Sequence, residues 1–222
     1  MMIKYFFPFA FILLFAFNAP SQQITLPYWN DVQAFKKQDS SRFPPPGQVL
    51  FIGSSSFTLW KNVDTYFPGY KILNRAFGGS TLEDLIRYRY DVIYPYQPKQ
   101  IVMYCGENDF ANNDTLSVAA VVERFKTLYG FIRAKYPSTS FVYVSMKPSP
   151  SRKHLMPKYK EANILIEKFL QASKNNRFVD AFHHMLKPDG SPMDDIFLDD
   201  WLHMNAKGYA IWKKLLQPVL KK

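Results

Sequence analysis

Residues 48–57, QVLFIGSSSF, constrain this chain more than any other stretch: four apolar residues in a row, Val49 through Ile52, halt at Gly53 and three serines. An apolar run of that length, closed by a turn signal, reads as a buried strand. The glycine permits close backbone approach, and a serine caps a helix opening on the mixed stretch that holds Phe57, Leu59 and Trp60. Such a strand-to-helix turn presents a serine hydroxyl and unpaired helix-start N–H groups at the carboxyl end of a sheet. Taken alone, the stretch says only that a helix is capped there. Its chemistry depends on what else the fold brings to the same edge.

Further apolar runs follow at intervals that leave room for helices. Residues 71–76 (KILNRA), 100–105 (QIVMYC), 140–145 (SFVYVS) and 177–182 read as strands. Helices are predicted from Thr81 to about Tyr90, over 117–135 where Val121, Phe125, Leu128 and Phe131 recur at helical steps, over 159–172 and over 205–220. Strands alternating with helices argue for a parallel sheet covered on both faces. The expected fold class is therefore α/β: a doubly wound, flavodoxin-like, three-layer sandwich with a five-stranded parallel sheet. Right-handed crossovers would leave every strand-to-helix loop on one edge, where ligands bind in such sheets.

The amino terminus stands apart. A short basic start, the apolar run Tyr5 to Phe17 and small residues ending at Ser21 read as a secretory signal, residues 1–21, cleaved after Ser21. The run is shorter than the ~20 apolar residues that span a bilayer, so no membrane span is expected after cleavage and the location is exported, periplasmic or secreted. Residues 22–47, with Trp29, Val32, Phe35 and Lys36 at roughly helical spacing before the Pro44-Pro45-Pro46 run, read as an extension packed on the domain formed by 48–222. Cys105 is the sole cysteine, so no internal disulfide can form. The formal net charge of +10 is scattered, without a compact basic block, which argues against a nucleic-acid reading; a basic surface in an exported protein would favour anionic envelope surfaces or acidic polysaccharides, but solvated helix faces explain most of these charges.

Sorting the polar residues by loop changes the weight of the serine turn. Ser55 follows the first strand, Gly79 the second, Asn108 the third, and Asp200 with His203 lies in the loop after the fifth. All fall on the one edge. A serine hydroxyl is a weak nucleophile until an imidazole accepts its proton, and an aspartate three residues before a histidine can fix the tautomer of that imidazole.

At these positions the chain resembles the SGNH hydrolases, also called the GDSL esterases and lipases. Gly53-Ser54-Ser55 stands where that family has its Gly-Asp-Ser turn, Asn74 to Gly79 matches the second block, Gly106-Glu107-Asn108-Asp109 the third, and Asp200-Trp201-Leu202-His203 with Asn205 and Gly208 the last. The resemblance implies Ser55 as nucleophile, His203 as base and Asp200 as its partner, with an oxyanion hole from Ser55 N–H, Gly79 N–H and the Asn108 amide. It implies a carboxylic ester hydrolase that needs no cofactor and acts on a small-molecule or carbohydrate ester, short acyl groups being preferred here; it is silent on oligomeric state. Ser54 replaces the usual aspartate, which puts the anchoring of the loop in question, and Ala76 stands where many relatives have glycine.

Competing readings are weaker. An α/β-hydrolase would carry Gly-x-Ser-x-Gly, which is absent, and would separate acid from histidine. A catalytically idle carbohydrate- or envelope-binding protein on the same fold would be expected to lack a triad member. His183 and His184 with Asp194, Asp195 and Asp199 match no strong ligand spacing, so no metal is expected. Asp109 reads as a loop stabiliser and His154 as an exposed loop residue, while Trp201 and Phe110 are candidates to line an acyl or sugar subsite.

Overall fold

A computed structural model describes residues 26–222; the expected signal segment, 1–21, lies outside the described residues. Helix α1 (Trp29–Ser41) precedes β1 (Val49–Gly53), α2 (Ser55–Thr58), α3 (Val63–Tyr66) and β2 (Ile72–Asn74). Next come α4 (Leu82–Arg87), α5 (Arg89–Val92), β3 (Gln100–Tyr104), α6 (Glu107–Asn112), α7 (Val118–Lys135) and β4 (Ser140–Val144). A 3-10 turn (Pro150–Leu155), α8 (Met156–Gln171), β5 (Asn176–Val179), α9 (Ala181–His184) and α10 (Ala206–Leu216) complete the order.

The five strands form one sheet in the order β2-β1-β3-β4-β5, every pair parallel. Period-2 alternation divides its side chains between two cores. Leu50, Ile52, Ile101, Met103, Phe141 and Tyr143 face α1, α4, α5, α7 and α8, while Val49, Phe51, Val102, Tyr104, Val142 and Val144 face α2, α3, α9 and α10. Both faces being covered explains why the strands read as continuous apolar runs instead of alternating ones. The strand order reverses direction between β1 and β3, so the loops after these two strands diverge at a crevice on the carboxyl edge.

Where the elements depart from the sequence expectation, side-chain bonds are responsible. The second strand stops at Asn74, because Asn74 Oδ1 takes the N–H of Ala76 at 3.0 Å and Arg75 turns away to Asp39 and Tyr96. The helix after Thr81, started by a Thr81–Asp84 capping box, breaks at Tyr88 into α4 and α5. The fifth strand ends at Val179, since Asp180 caps α9 by accepting from His183 N–H at 3.0 Å. Short helices α6 and α9 lie in segments where no helix is predicted, being too brief to show a period.

Candidate active site

The turn that begins the site is set by sterics. Gly53 leaves β1 with φ of 134°, and a Cβ there would lie 1.9 Å from the Tyr104 carbonyl oxygen. Only glycine fits. Ser54 N–H then donates to that same carbonyl at 3.0 Å, and Ser55 opens α2. The short helix is gripped from two sides: Asn74 Nδ2 donates to Phe57 O at 2.7 Å and the Tyr209 hydroxyl to Ser56 O at 2.9 Å. These bonds account for Asn74 in the second block and tie α10 to the serine turn.

On the opposite wall, His203 returns to the turn from the long loop after β5. Its Nε2 lies 3.0 Å from Ser55 Oγ, and its Nδ1 lies 2.5 Å from Asp200 Oδ2. Asp200 Oδ1 accepts the backbone N–H groups of Leu202 at 3.0 Å and His203 at 2.9 Å. Partial burial opposes the charge on Asp200, but these two N–H groups and the imidazole outweigh it and hold the carboxyl at about 2. A carboxylate at Nδ1 favours the tautomer with its proton there, leaving Nε2 to accept from Ser55. The loop is fixed at its far end by Asn205, whose Oδ1 caps α10 and whose Nδ2 donates to Asp195 O and Phe197 O. At Gly208 a Cβ would meet Ile196 O at 2.7 Å, which explains the glycine of that block.

Ser54 and Ser56 are placed otherwise. Ser54 is buried and its Oγ accepts from Asn108 Nδ2 at 2.7 Å. It thus occupies an anchoring position: the hydroxyl, in place of an aspartate, ties the first loop to the third. The same Asn108 amide donates to Ser80 O at 3.0 Å, so both of its hydrogens are engaged in the resting site. Gly79, with φ of 81°, carries its carbonyl into a 2.8 Å bond from the Tyr28 hydroxyl. Neither Ser55 N–H nor Gly79 N–H has a backbone acceptor among the described residues.

Beneath Asn108 lies a charged group that the sequence did not single out. Buried Glu107 accepts the Tyr104 hydroxyl, Lys147 N–H at 2.9 Å and Lys147 Nζ at 3.3 Å, with Arg152 Nη1 3.5 Å away. Burial pushes the Lys147 amine down and Glu107 partly restores it. Asp109, also buried, accepts from Leu82 N–H at 2.9 Å and pairs with Arg124 at 3.0 Å, which joins the third loop to α4 and α7 and keeps it away from the serine. Burial raises the Asp109 carboxyl against both donors.

Ser55, His203, Gly79 and Asn108 line one cavity of about 350 Å³ together with Gly78, Thr58, Leu59, Arg152 and Leu202. The sequence did not point to Arg152, because no local signal separates it from Lys153 and His154. Phe110, one of the two aromatic candidates, is wholly buried, where it packs on Tyr159 and lines no subsite. Trp201 is half exposed beside the site, with φ of 56°. The remaining histidines of the long loop take other partners: His183 Nδ1 pairs with Asp180 at 2.7 Å and His184 Nδ1 contacts Asp180 O at 2.7 Å. Asp194 pairs with Lys187 and Asp195 with Lys207. No cluster suited to a metal occurs among the described residues.

Comparisons with known proteins bear on the fold and the family. An acylhydrolase, provisionally so assigned, from Bacteroides fragilis superposes with a TM-score of 0.73 at 23% identity, covering 86% of this chain and 96% of that one. A GDSL-like lipase from Bacteroides thetaiotaomicron gives 0.70 at 20% identity, over 85% and 96%. An acetyl xylan esterase from Geobacillus stearothermophilus gives 0.62 at 12% identity, over 80% and 99%. These likenesses are of fold. Curated proteins returned no match. The sequence profile described as the GDSL-like Lipase/Acylhydrolase family matches residues 54–211, from the serine turn through the histidine loop into α10. The chain therefore belongs to the GDSL-like lipase/acylhydrolase family and is a hydrolase of that kind.

Proposed function

We propose that the protein is an exported serine esterase that cleaves short acyl esters, carbohydrate-linked acetyl esters among them, through an acyl-enzyme on Ser55. The observation that carries the reading is the continuous chain of contacts from Ser55 Oγ to His203 Nε2, 3.0 Å, and from His203 Nδ1 to Asp200. Ser55 attacks the ester carbonyl as His203 takes its proton; Asp200 steadies the imidazolium, and Nε2 then returns the proton to the leaving alcohol. Water repeats the cycle on the acyl-enzyme. The oxyanion is received by Ser55 N–H, Gly79 N–H and Asn108, whose amide shares one of its two existing bonds with the incoming charge. An open cavity of about 350 Å³ bordered by Leu59 and Leu202 suits a short acyl group. The solved neighbour described as an acetyl xylan esterase adds weight to a carbohydrate ester. Export rests on the basic start and apolar run of residues 1–21.

The test is intact-mass labelling of the mature protein by a fluorophosphonate. One adduct is expected on wild type and on Ser54→Ala, and none on Ser55→Ala. Folded wild-type protein that takes up no adduct from neutral to mildly alkaline pH would turn the reading towards an idle binding protein on this fold.

A further inference from the structure

We propose that Arg152 selects esters whose alcohol half carries an anionic oxygen group, a carboxylate or a phosphate, near the scissile bond. This rests on the reading of Ser55 as nucleophile and names the substrate class for it. Of the residues lining the cavity, Arg152 alone carries a permanent charge; Thr58, Leu59, Gly78 and Leu202 give neutral walls.

The fold uses only part of the Arg152 guanidinium, which also lies within hydrogen-bond reach of Tyr159. Its ion pair with Glu107 is a single Nη1 contact at 3.5 Å, the longest that this carboxylate makes. Glu107 is already held by Tyr104 and by both nitrogens of Lys147. One carboxylate between two cations leaves a positive charge uncancelled. The exposures decide where it points: the Lys147 side chain is 1% exposed and that of Arg152 19%, so Arg152 meets the cavity. Of the other acids on this edge, Asp200 is bound by His203 and two backbone N–H groups, and Asp109 by Leu82 N–H and Arg124.

The side of the substrate follows from how the turn is fastened. Ser151 N–H and Oγ donate to Trp201 O at 3.1 and 3.0 Å, which ties the Pro150–Leu155 turn to the loop carrying His203. In the proposed cycle His203 hands its proton to the leaving alcohol, so a guanidinium fastened to that loop borders the alcohol half. Its planar fork matches two oxygens of a carboxylate or phosphate, where an ammonium would act as a point charge. The chain's net charge of +10 draws such substrates in the same direction.

The experiment compares kcat/KM for 4-acetoxybenzoate and 4-acetoxyphenyl phosphate, each against neutral methyl 4-acetoxybenzoate, in wild type, Arg152→Gln and Arg152→Lys. Intrinsic leaving-group reactivity cancels when the anionic-to-neutral ratio is compared between variants. That ratio is expected to fall about tenfold in Arg152→Gln, the size of a lost charge-assisted hydrogen bond, and less in Arg152→Lys. Whichever anion shows the larger fall identifies carboxylate or phosphate. An unchanged ratio, or a fall seen only with an anion on the acyl half, as in 4-nitrophenyl hemisuccinate, overturns the proposal. Fluorophosphonate labelling of Ser55 in each variant separates this outcome from failure of the esterase reading. Should Arg152→Gln not fold, product inhibition of the wild type decides: 4-hydroxybenzoate should inhibit more strongly than its methyl ester, and equal inhibition overturns the assignment.

Discussion

Asp200 ties stability to the proposed mechanism through one side chain. Its carboxyl is held at about 2, below an ordinary value of 3.8, against partial burial and by the His203 and Leu202 N–H groups and the imidazole. The sign follows from the direction: a carboxyl whose folded value is depressed contributes stability that is present above its unfolded value and is lost as pH falls through the folded one. Thermal unfolding of Asp200→Asn should therefore lie below wild type at pH 7, with the gap closing between about pH 4 and pH 2. The side chain is 47% exposed, so solvent screening keeps the gap small. A gap that grew on acidification would contradict the assignment. Ser54 makes a second point at this scale. Its hydroxyl, in an anchoring position, carries the link between the first and third loops through Asn108, so the departure from Gly-Asp-Ser keeps a bond there with a neutral partner.

At the scale of elements, α1 acts on the Gly79 loop, the proposed oxyanion loop, from outside the stretch that the family profile matches. Val32 is fully buried under it, Asp39 pairs with buried Arg75 and accepts the Tyr96 hydroxyl at 2.6 Å, and the Tyr88 hydroxyl donates to Pro27 O at 2.6 Å. These bonds hold the entry to α1 where Tyr28, in a left-handed conformation with φ of 62°, reaches Gly79 O. The Tyr28 hydroxyl thus constrains the peptide next to the one that supplies the Gly79 N–H. Tyr28→Phe should lower kcat about fivefold, the worth of one hydrogen bond, with KM little changed. If KM rose while kcat held, Tyr28 would be shaping the cavity instead of positioning the oxyanion donor.

At the scale of the whole molecule, stability comes from two aromatic-rich cores on either side of the sheet, with no covalent cross-link available. Trp212 is enclosed by Phe57, Trp60 and Tyr104, so α10 and α2 share one packed cluster beneath the carboxyl edge of the sheet. Cys105 is buried at the end of β3, and burial pushes its thiol well above the ordinary range. A thiol reagent should therefore leave the native protein untouched and react with one group once it is unfolded, and a reductant should not shift Tm. Rapid modification of the native protein would mean that the third loop opens. Among the described residues, no helix is long and apolar enough to cross a membrane.

The sequence by itself determined the local pieces. Apolar runs specified the strands, Gly53 the tight turn, and Ser117 and Asn205 the helix starts, because each depends on neighbours a few residues away. It also assigned Ser55, Gly79, Asn108, Asp200 and His203 to one edge, since parallel topology sends every strand-to-helix loop there. Only the tertiary structure decided that Ser55, the serine the resemblance implies, lies within 3.0 Å of the imidazole, that both Asn108 hydrogens are engaged, that Phe110 turns inward, and that Arg152 and Tyr28 reach the site. The contacts behind these outcomes join residues far apart in the chain, 148 positions for Ser55 and His203 and 51 for Tyr28 and Gly79. A periodic pattern records which face of an element is buried; it does not record which distant side chain arrives opposite, because that depends on how all the layers pack at once.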